Sequence, residues 1–207
     1  KKFFGINDRE VVLIQNNLGI IYLHQGKLKD AEKYLIASLK RKKTIYGPNH
    51  EELIDTMYWL GEVYNSQDSH KKAQHYLERA LKLAKKNIDS NDPELAGIQN
   101  ALGQAYKLQG KYKDAEELFL QAESIYARTL VKNNANYLKV LSNLADIYLI
   151  TSRNDKAEKI FKDNLETIKQ ISGDNEIITI NFRNKLAKLY YSTNRYAKAE
   201  KLYLYSL

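Results

Sequence analysis

The 207-residue chain has no cysteine, only two prolines, one methionine and one tryptophan, and its nine glycines are thinly spread. Without cysteine there is no disulfide, no thiolate metal site and no thiol nucleophile, a usage that fits a reducing compartment. With so little proline and glycine, helices can run long, and a flexible low-complexity linker is excluded. No apolar run approaches the roughly 18 residues of a membrane span and no signal-peptide pattern opens the chain, so a cytoplasmic protein without membrane contact is expected. G-x-S-x-G, H-E-x-x-H and glycine-rich phosphate loops are also missing. The four histidines are scattered, and His70 and His75 stand five apart, off a common helix face. The expectation is therefore no enzyme, no metal and no cofactor.

What is present is a phrase used five times. "LGQAYKLQGKYKDAEELF" (102–119) recurs as "LGIIYLHQGKLKDAEKYL" (18–35), "LGEVYNSQDSHKKAQHYL" (60–77), "LADIYLITSRNDKAEKIF" (144–161) and "LAKLYYSTNRYAKAEKLY" (186–203). Leu18, Leu60, Leu102, Leu144 and Leu186 are 42 residues apart, as are Tyr22, Tyr64, Tyr106, Tyr148 and Tyr190, and Ala31, Ala73, Ala115, Ala157 and Ala199. A period of this size is the signature of a solenoid whose units bury their apolar faces against neighbours. With 43% hydrophobic residues the chain can fill such a core.

Within one unit the apolar spacing is helical. Ile98, Ala101, Leu102, Ala105 and Tyr106 lie three and four apart, then Tyr112, Ala115, Leu118, Phe119, Ala122 and Tyr126 restart the pattern after Gly110. Each repeat reads as a helix A, a tight turn and a longer helix B. Asp92-Pro93-Glu94 supplies an N-cap, a first-turn proline and an acid, and Asn7-Asp8, Asn133-Asn134 and Asp174-Asn175 are the equivalent caps. Gly26 and Gly110 sit where the A-to-B turn needs positive φ, and Asp68, Ser152 and Asn194 take that place in the other repeats. Gly19, Gly61, Gly103, Ala145 and Ala187 form a small row that lets paired helices approach. Glu123 and Asn164 are polar intruders in B-helix rows otherwise apolar or small.

Leucine, a small residue, two residues, tyrosine, a glycine, then alanine, three residues and an aromatic or leucine resembles the tetratricopeptide repeat over the whole chain. The usual repeat is 34 residues, so each unit here carries about eight more, roughly one turn per helix. The customary tryptophan position holds Gln15, Met57, Gln99, Leu141 and Arg183, and the closing proline is displaced to Pro48 and Pro93. The extended form is similar to the repeats of kinesin light chains and of bacterial multidomain proteins, including those fused to CHAT proteases. "QNNLG" (15–19) and "SNLA" (142–145) carry one of their phrases, and "GPNH" (47–50) carries another in part.

The resemblance implies an all-α, right-handed superhelical solenoid of antiparallel helix pairs over residues 1–207. Repeats fall at about 11–52, 53–94, 95–136, 137–178 and 179–207, with 1–10 the tail of a preceding one. It also implies a scaffold that binds an extended peptide or protein segment in a groove lined by the A helices. Carried over by position, that groove holds Asn16, Ile20, Leu23, Tyr58, Glu62, Asn65, Asn100, Gln104, Lys107, Ser142, Asp146, Asn184, Lys188 and Tyr191. Asn16, Asn100 and Asn184 recur at one position, and a carboxamide both donates to and accepts from a peptide backbone. The alternative is that these asparagines face solvent or bond neighbouring helices. The alternative function is a sensor array of a larger enzyme, such as a CHAT-type protease, whose catalytic domain lies elsewhere.

The net charge of +8 gathers toward the ends, in Lys40 to Lys43 and in Arg183, Lys185, Lys188, Arg195, Lys198 and Lys201. Without a recognised nucleic-acid motif, these read as solvated helix faces before they read as a nucleic-acid surface. "KKFFG" at the start aligns with the end of a helix B, and Leu207 aligns with mid-helix positions. The expectation is a piece of a longer array whose open last helix, with Leu202, Tyr203, Tyr205 and Leu207, associates end to end.

Overall fold

The computed structural model describes residues 8–129, 134–172 and 177–206, among which ten α-helices and one 3-10 turn account for nearly all of the chain. The A helices are α1 (Asp8–His24), α3 (Ile54–Ser66, entered through the 3-10 turn Glu51–Leu53), α5 (Pro93–Leu108), α7 (Ala135–Ile150) and α9 (Ile177–Ser192). The B helices are α2 (Leu28–Tyr46), α4 (His70–Asn87), α6 (Tyr112–Thr129), α8 (Asn154–Ser172) and α10 (Tyr196–Leu204). No strand occurs among the described residues. The contacts gather into two compact units, residues 1–111 with α1–α5 and residues 112–207 with α6–α10.

Every A-to-B turn is built alike. Gly26 and Gly110 have φ of 71° and 76°, and Asp68, Ser152 and Asn194 hold the same left-handed place at 56°, 59° and 59°. The next residue's N–H then returns to the tyrosine carbonyl five back, as from Lys27 to Tyr22 (2.9 Å), Ser69 to Tyr64 (2.8 Å) and Arg195 to Tyr190 (2.8 Å). This paired closure satisfies carbonyls that a helix end leaves open. Two expected caps form: Asp92 accepts from the Glu94 N–H at 2.8 Å, and Asn134 accepts from that of Asn136 at 2.9 Å. Asn7, Asn133, Asp174 and Asn175, like the opening "KKFFG" and Leu207, lie outside the described residues.

The periodic rows make the core. Ala31, Ala73, Ala115 and Ala157 are fully buried, and so are Leu35, Leu77, Phe119 and Phe161. A Cβ added to Gly19 would stand 2.5 Å from Leu35 Cγ, which is why that row stays small. The two polar intruders are accommodated differently. Glu123 accepts the Tyr137 hydroxyl at 3.2 Å, whereas Asn164 donates to the Ile160 carbonyl of its own helix at 2.7 Å. Among the described residues no helix is long and apolar enough to cross a membrane.

Candidate functional site

In the first unit the A helices α1, α3 and α5 lie side by side, α3 in contact with both others. Polar side chains stitch them. Asn16 is buried; its amide donates to Asp55 Oδ2 at 2.8 Å, and its oxygen accepts the Thr56 hydroxyl at 2.7 Å. Asn65 is also buried and donates to the Ala101 carbonyl at 3.0 Å, while its own buried oxygen has no donor among the described residues. Asn100 is equally buried. Asn16 and Asn65 thus link neighbouring A helices, and the Asn16 carboxamide, used on both sides, is held in place by the cost of leaving either side unmet.

Beside this stitching lies an aromatic cluster. Tyr58 meets Trp59 edge to face with ring centres 4.9 Å apart, and Trp59 meets His24 of α1 at 6.0 Å. Tyr58 and Trp59 are half-buried and His24 is exposed, with Ile20, Leu23 and Glu62 half-buried on the same two helices. Gln104 and Lys107 are half-buried on α5. The groove positions expected from the family include Tyr58 and not Trp59, although Trp59 stands out in the sequence as the single tryptophan, adjoining Tyr58.

A cleft of about 580 Å³ opens on this unit, with Arg9, Asn16, Asn17, Ile20, Asp55 and Glu94 among its walls. Lys42 lines it and is 6% exposed. Burial lowers the lysine's pKa, opposed by Asp55 and Glu52, while burial and the neighbouring Asp55 and Asp92 raise that of Glu94. In the sequence Lys42 belongs to the basic run Lys40 to Lys43, which reads as a solvated helix face. Its row holds Ala84, Tyr126 and Ile168, all buried, and that row marks it as the misplaced charge.

In the second unit, Ser142 and Asp146 of α7 together hold Lys185 of α9, at 2.5 and 2.9 Å from its Nζ. Asn184 is half-buried with its oxygen lacking a donor among the described residues. Lys188 is exposed, as is Tyr191, which stacks edge to face on Tyr196 at 5.5 Å. A cleft of about 970 Å³ brings Ser142, Asn184 and Lys188 together with Leu138, Phe182 and Leu204. Much of the basic charge is spent internally. Arg183 is buried and donates to the Tyr205 carbonyl at 2.7 Å, and Lys185 and Arg195 are paired with acids.

Between successive repeats runs a carboxylate clasp. Glu32 accepts from the Tyr64 hydroxyl at 2.8 Å and from Gln67 at 3.0 Å. Glu116 takes Arg153 with two bonds of 2.7 and 2.6 Å. Glu158 receives the Tyr190 hydroxyl at 3.0 Å, and Arg195 and Lys162 each at 2.6 Å. Although burial alone would raise it, the hydrogen bonds from Lys162, Arg195 and Tyr190 hold the Glu158 pKa at about 2. Arg153 holds that of Glu116 below its ordinary value in the same way. These clasps fix repeat against repeat.

A family model described as Tetratricopeptide repeat matches residues 10–86, 53–128 and 136–207. The chain belongs to the tetratricopeptide repeat family. Its helix pairs are similar to the kinesin light chain TPR-like repeats of Podosopora anserina, with 19% identity, a TM-score of 0.82, and 98% of this chain and 95% of that one covered. They are also similar to BtubC from P. vanneervenii, with 20% identity, a TM-score of 0.80, and 95% and 79% covered. A Rap protein complexed with Competence and Sporulation Factor has a TM-score of 0.67 at 15% identity, with 97% of this chain and 64% of that one covered. At such identities the likeness establishes the fold. No curated protein matches the chain. A tetratricopeptide repeat scaffold of this kind is typical of proteins that bring other proteins together.

Proposed function

We propose that the chain binds an extended segment of a partner protein on the faces of its A helices. The observation that carries this reading is the cluster of Tyr58, Trp59 and His24, three rings gathered on adjoining A helices and left half-buried or exposed. Tryptophan and tyrosine are the residues in which binding energy concentrates at protein interfaces, because they bury a large area at small entropic cost. Leu23, Glu62, Asn65, Gln104 and Lys107 lie on the same three A helices of the first unit and belong to the proposed face, and Ser142, Asp146, Lys188 and Tyr191 are the counterparts on the second unit. Asn16 supports this face from beneath rather than reading the ligand, since Asp55 and Thr56 take both sides of its amide. A protein segment suits the face better than nucleic acid, because Lys42, Arg183, Lys185 and Arg195 are buried or paired.

Peptides selected from a random display library on the intact chain provide the test. As the single tryptophan, Trp59 reports binding directly by its emission. Selected peptides are expected to shift that emission. Tyr58→Ala should weaken them by about thirtyfold, the loss of roughly 2 kcal/mol that defines an anchoring residue. Peptides that bind with Trp59 unmoved and tolerate Tyr58→Ala would place the binding surface elsewhere.

A further inference from the structure

Lys42 sits where the fold itself asks for an uncharged residue. Its row in the next three repeats holds Ala84, Tyr126 and Ile168, all buried, so packing at this place needs no charge. Burying an ammonium group is costly unless other groups bond it, yet Lys42 is 6% exposed and has no hydrogen bond or ion pair among the described residues. Its side chain lines the first unit's cleft of about 580 Å³, and the amine is a donor presented to that space.

The same cleft holds the opposite case. Glu94, in the first turn of α5, also lines it, and its carboxylate has no hydrogen bond or ion pair among the described residues. Burial and the carboxylates of Asp55 and Asp92 raise its pKa, which marks an acid set among like charges. Asp55 acts on Lys42 and on Glu94 alike. Its Oδ2 accepts the Asn16 amide at 2.8 Å, and its Oδ1 accepts nothing among the described residues. Lys42 and Glu94 thus share a cleft and a neighbour without pairing with each other. An unmet donor and an unmet acid in one cavity match a ligand that carries both signs. The walls add a preference. Arg9 and Lys42 bring two positive charges and Glu51, Glu52, Asp55 and Glu94 four negative ones, an excess that favours an occupant of net positive charge. Ile20, Tyr46 and Ile88 are half-buried and supply apolar wall.

We propose that this cleft binds a free basic α-amino acid, arginine or lysine. Its carboxylate accepts from Lys42, its α-ammonium group donates to Asp55 Oδ1 and Glu94, and its side-chain cation lies toward the exposed Glu51 and Glu52, with the aliphatic stem on the apolar wall. The volume is in the range of small-molecule sites. This inference does not rest on peptide binding at Trp59.

Isothermal titration calorimetry of the intact chain with L-arginine and L-lysine, beside L-leucine and L-glutamate, tests the proposal. Arginine and lysine are expected to bind at one site, and leucine and glutamate more weakly. N-acetyl-arginine lacks the ammonium group and arginine amide lacks the carboxylate, so each should bind about tenfold or more weakly than arginine, the effect of losing one hydrogen bond to a charged group. Glu94→Gln, at an exposed position, and Lys42→Met should each weaken arginine to a similar degree. Lys42→Met should also raise the melting temperature of the unliganded chain, because an apolar side chain of similar length removes the buried charge. A lysine kept for the fold would lower it on removal, and that result overturns the proposal. So does the absence of binding by any of the four amino acids, or arginine binding undiminished in either variant. Arginine amide binding as tightly as arginine would reveal a site for a cation alone and overturns it as well.

Discussion

Gly61→Ala puts the packing of the small row to a severe test. A methyl group on Gly61 would fall inside contact distance of Leu77, with Cδ2 at 2.5 Å and Cδ1 at 2.8 Å, and the branched Cγ closer still. Leu77 is fully buried, so it cannot swing into solvent to make room. Overpacking of this kind costs about 1–3 kcal/mol. Against it stands the gain of replacing glycine by alanine inside a helix, about 1 kcal/mol. The expected net loss is about 1 kcal/mol. The second unit shows the remedy, because there the same two rows hold Ala145 and Phe161, both fully buried. The ring is planar at Cγ, where leucine is tetrahedral, and can turn its flat face to the added methyl. Leu77→Phe should therefore be better tolerated with Gly61→Ala than alone, giving a favourable coupling of about 1 kcal/mol in a double-mutant cycle. Urea unfolding followed through Trp59, two residues from Gly61 on α3, measures all four proteins locally. A Gly61→Ala protein as stable as the wild type, or a cycle without coupling, would refute the steric explanation of the row.

Two further outcomes follow from the turns and the clasps. Ser152 holds φ at 59°, a conformation that is strained for a residue with a Cβ, so Ser152→Gly should raise stability by about 0.5–1 kcal/mol in thermal unfolding. Glu158 has its pKa lowered to about 2 from an ordinary 4.5, so its contribution is complete above the unfolded value and disappears as pH falls from about 5 to 2. Taken whole, that shift is worth about 3 kcal/mol, and screening at the half-exposed Lys162 reduces it to about 1–2 kcal/mol. Glu158→Gln should lose that amount at neutral pH and flatten the acid limb of the stability profile. An unchanged acid limb would remove the clasp from the account.

The sequence by itself determined the repeat, its 42-residue period, the A and B helices and the turns, because these depend on spacing along the chain and on conformational preferences of single residues. Asp68, Ser152 and Asn194 could be assigned to the glycine position of the turn for that reason, and Asp92 and Asn134 to caps. What tertiary structure alone decided was the partner of each polar side chain. Asn16, marked from its row as a ligand contact, has its amide taken by Asp55 and Thr56, some forty residues onward. Lys42 looks in sequence like its lysine neighbours, yet it is the one turned into the first unit's cleft. Trp59 acquires meaning only when α3 brings it to His24 of α1. Row and period specify which face of a helix a residue occupies, whereas a hydrogen bond requires two groups within about 3 Å, a distance set by how neighbouring helices pack.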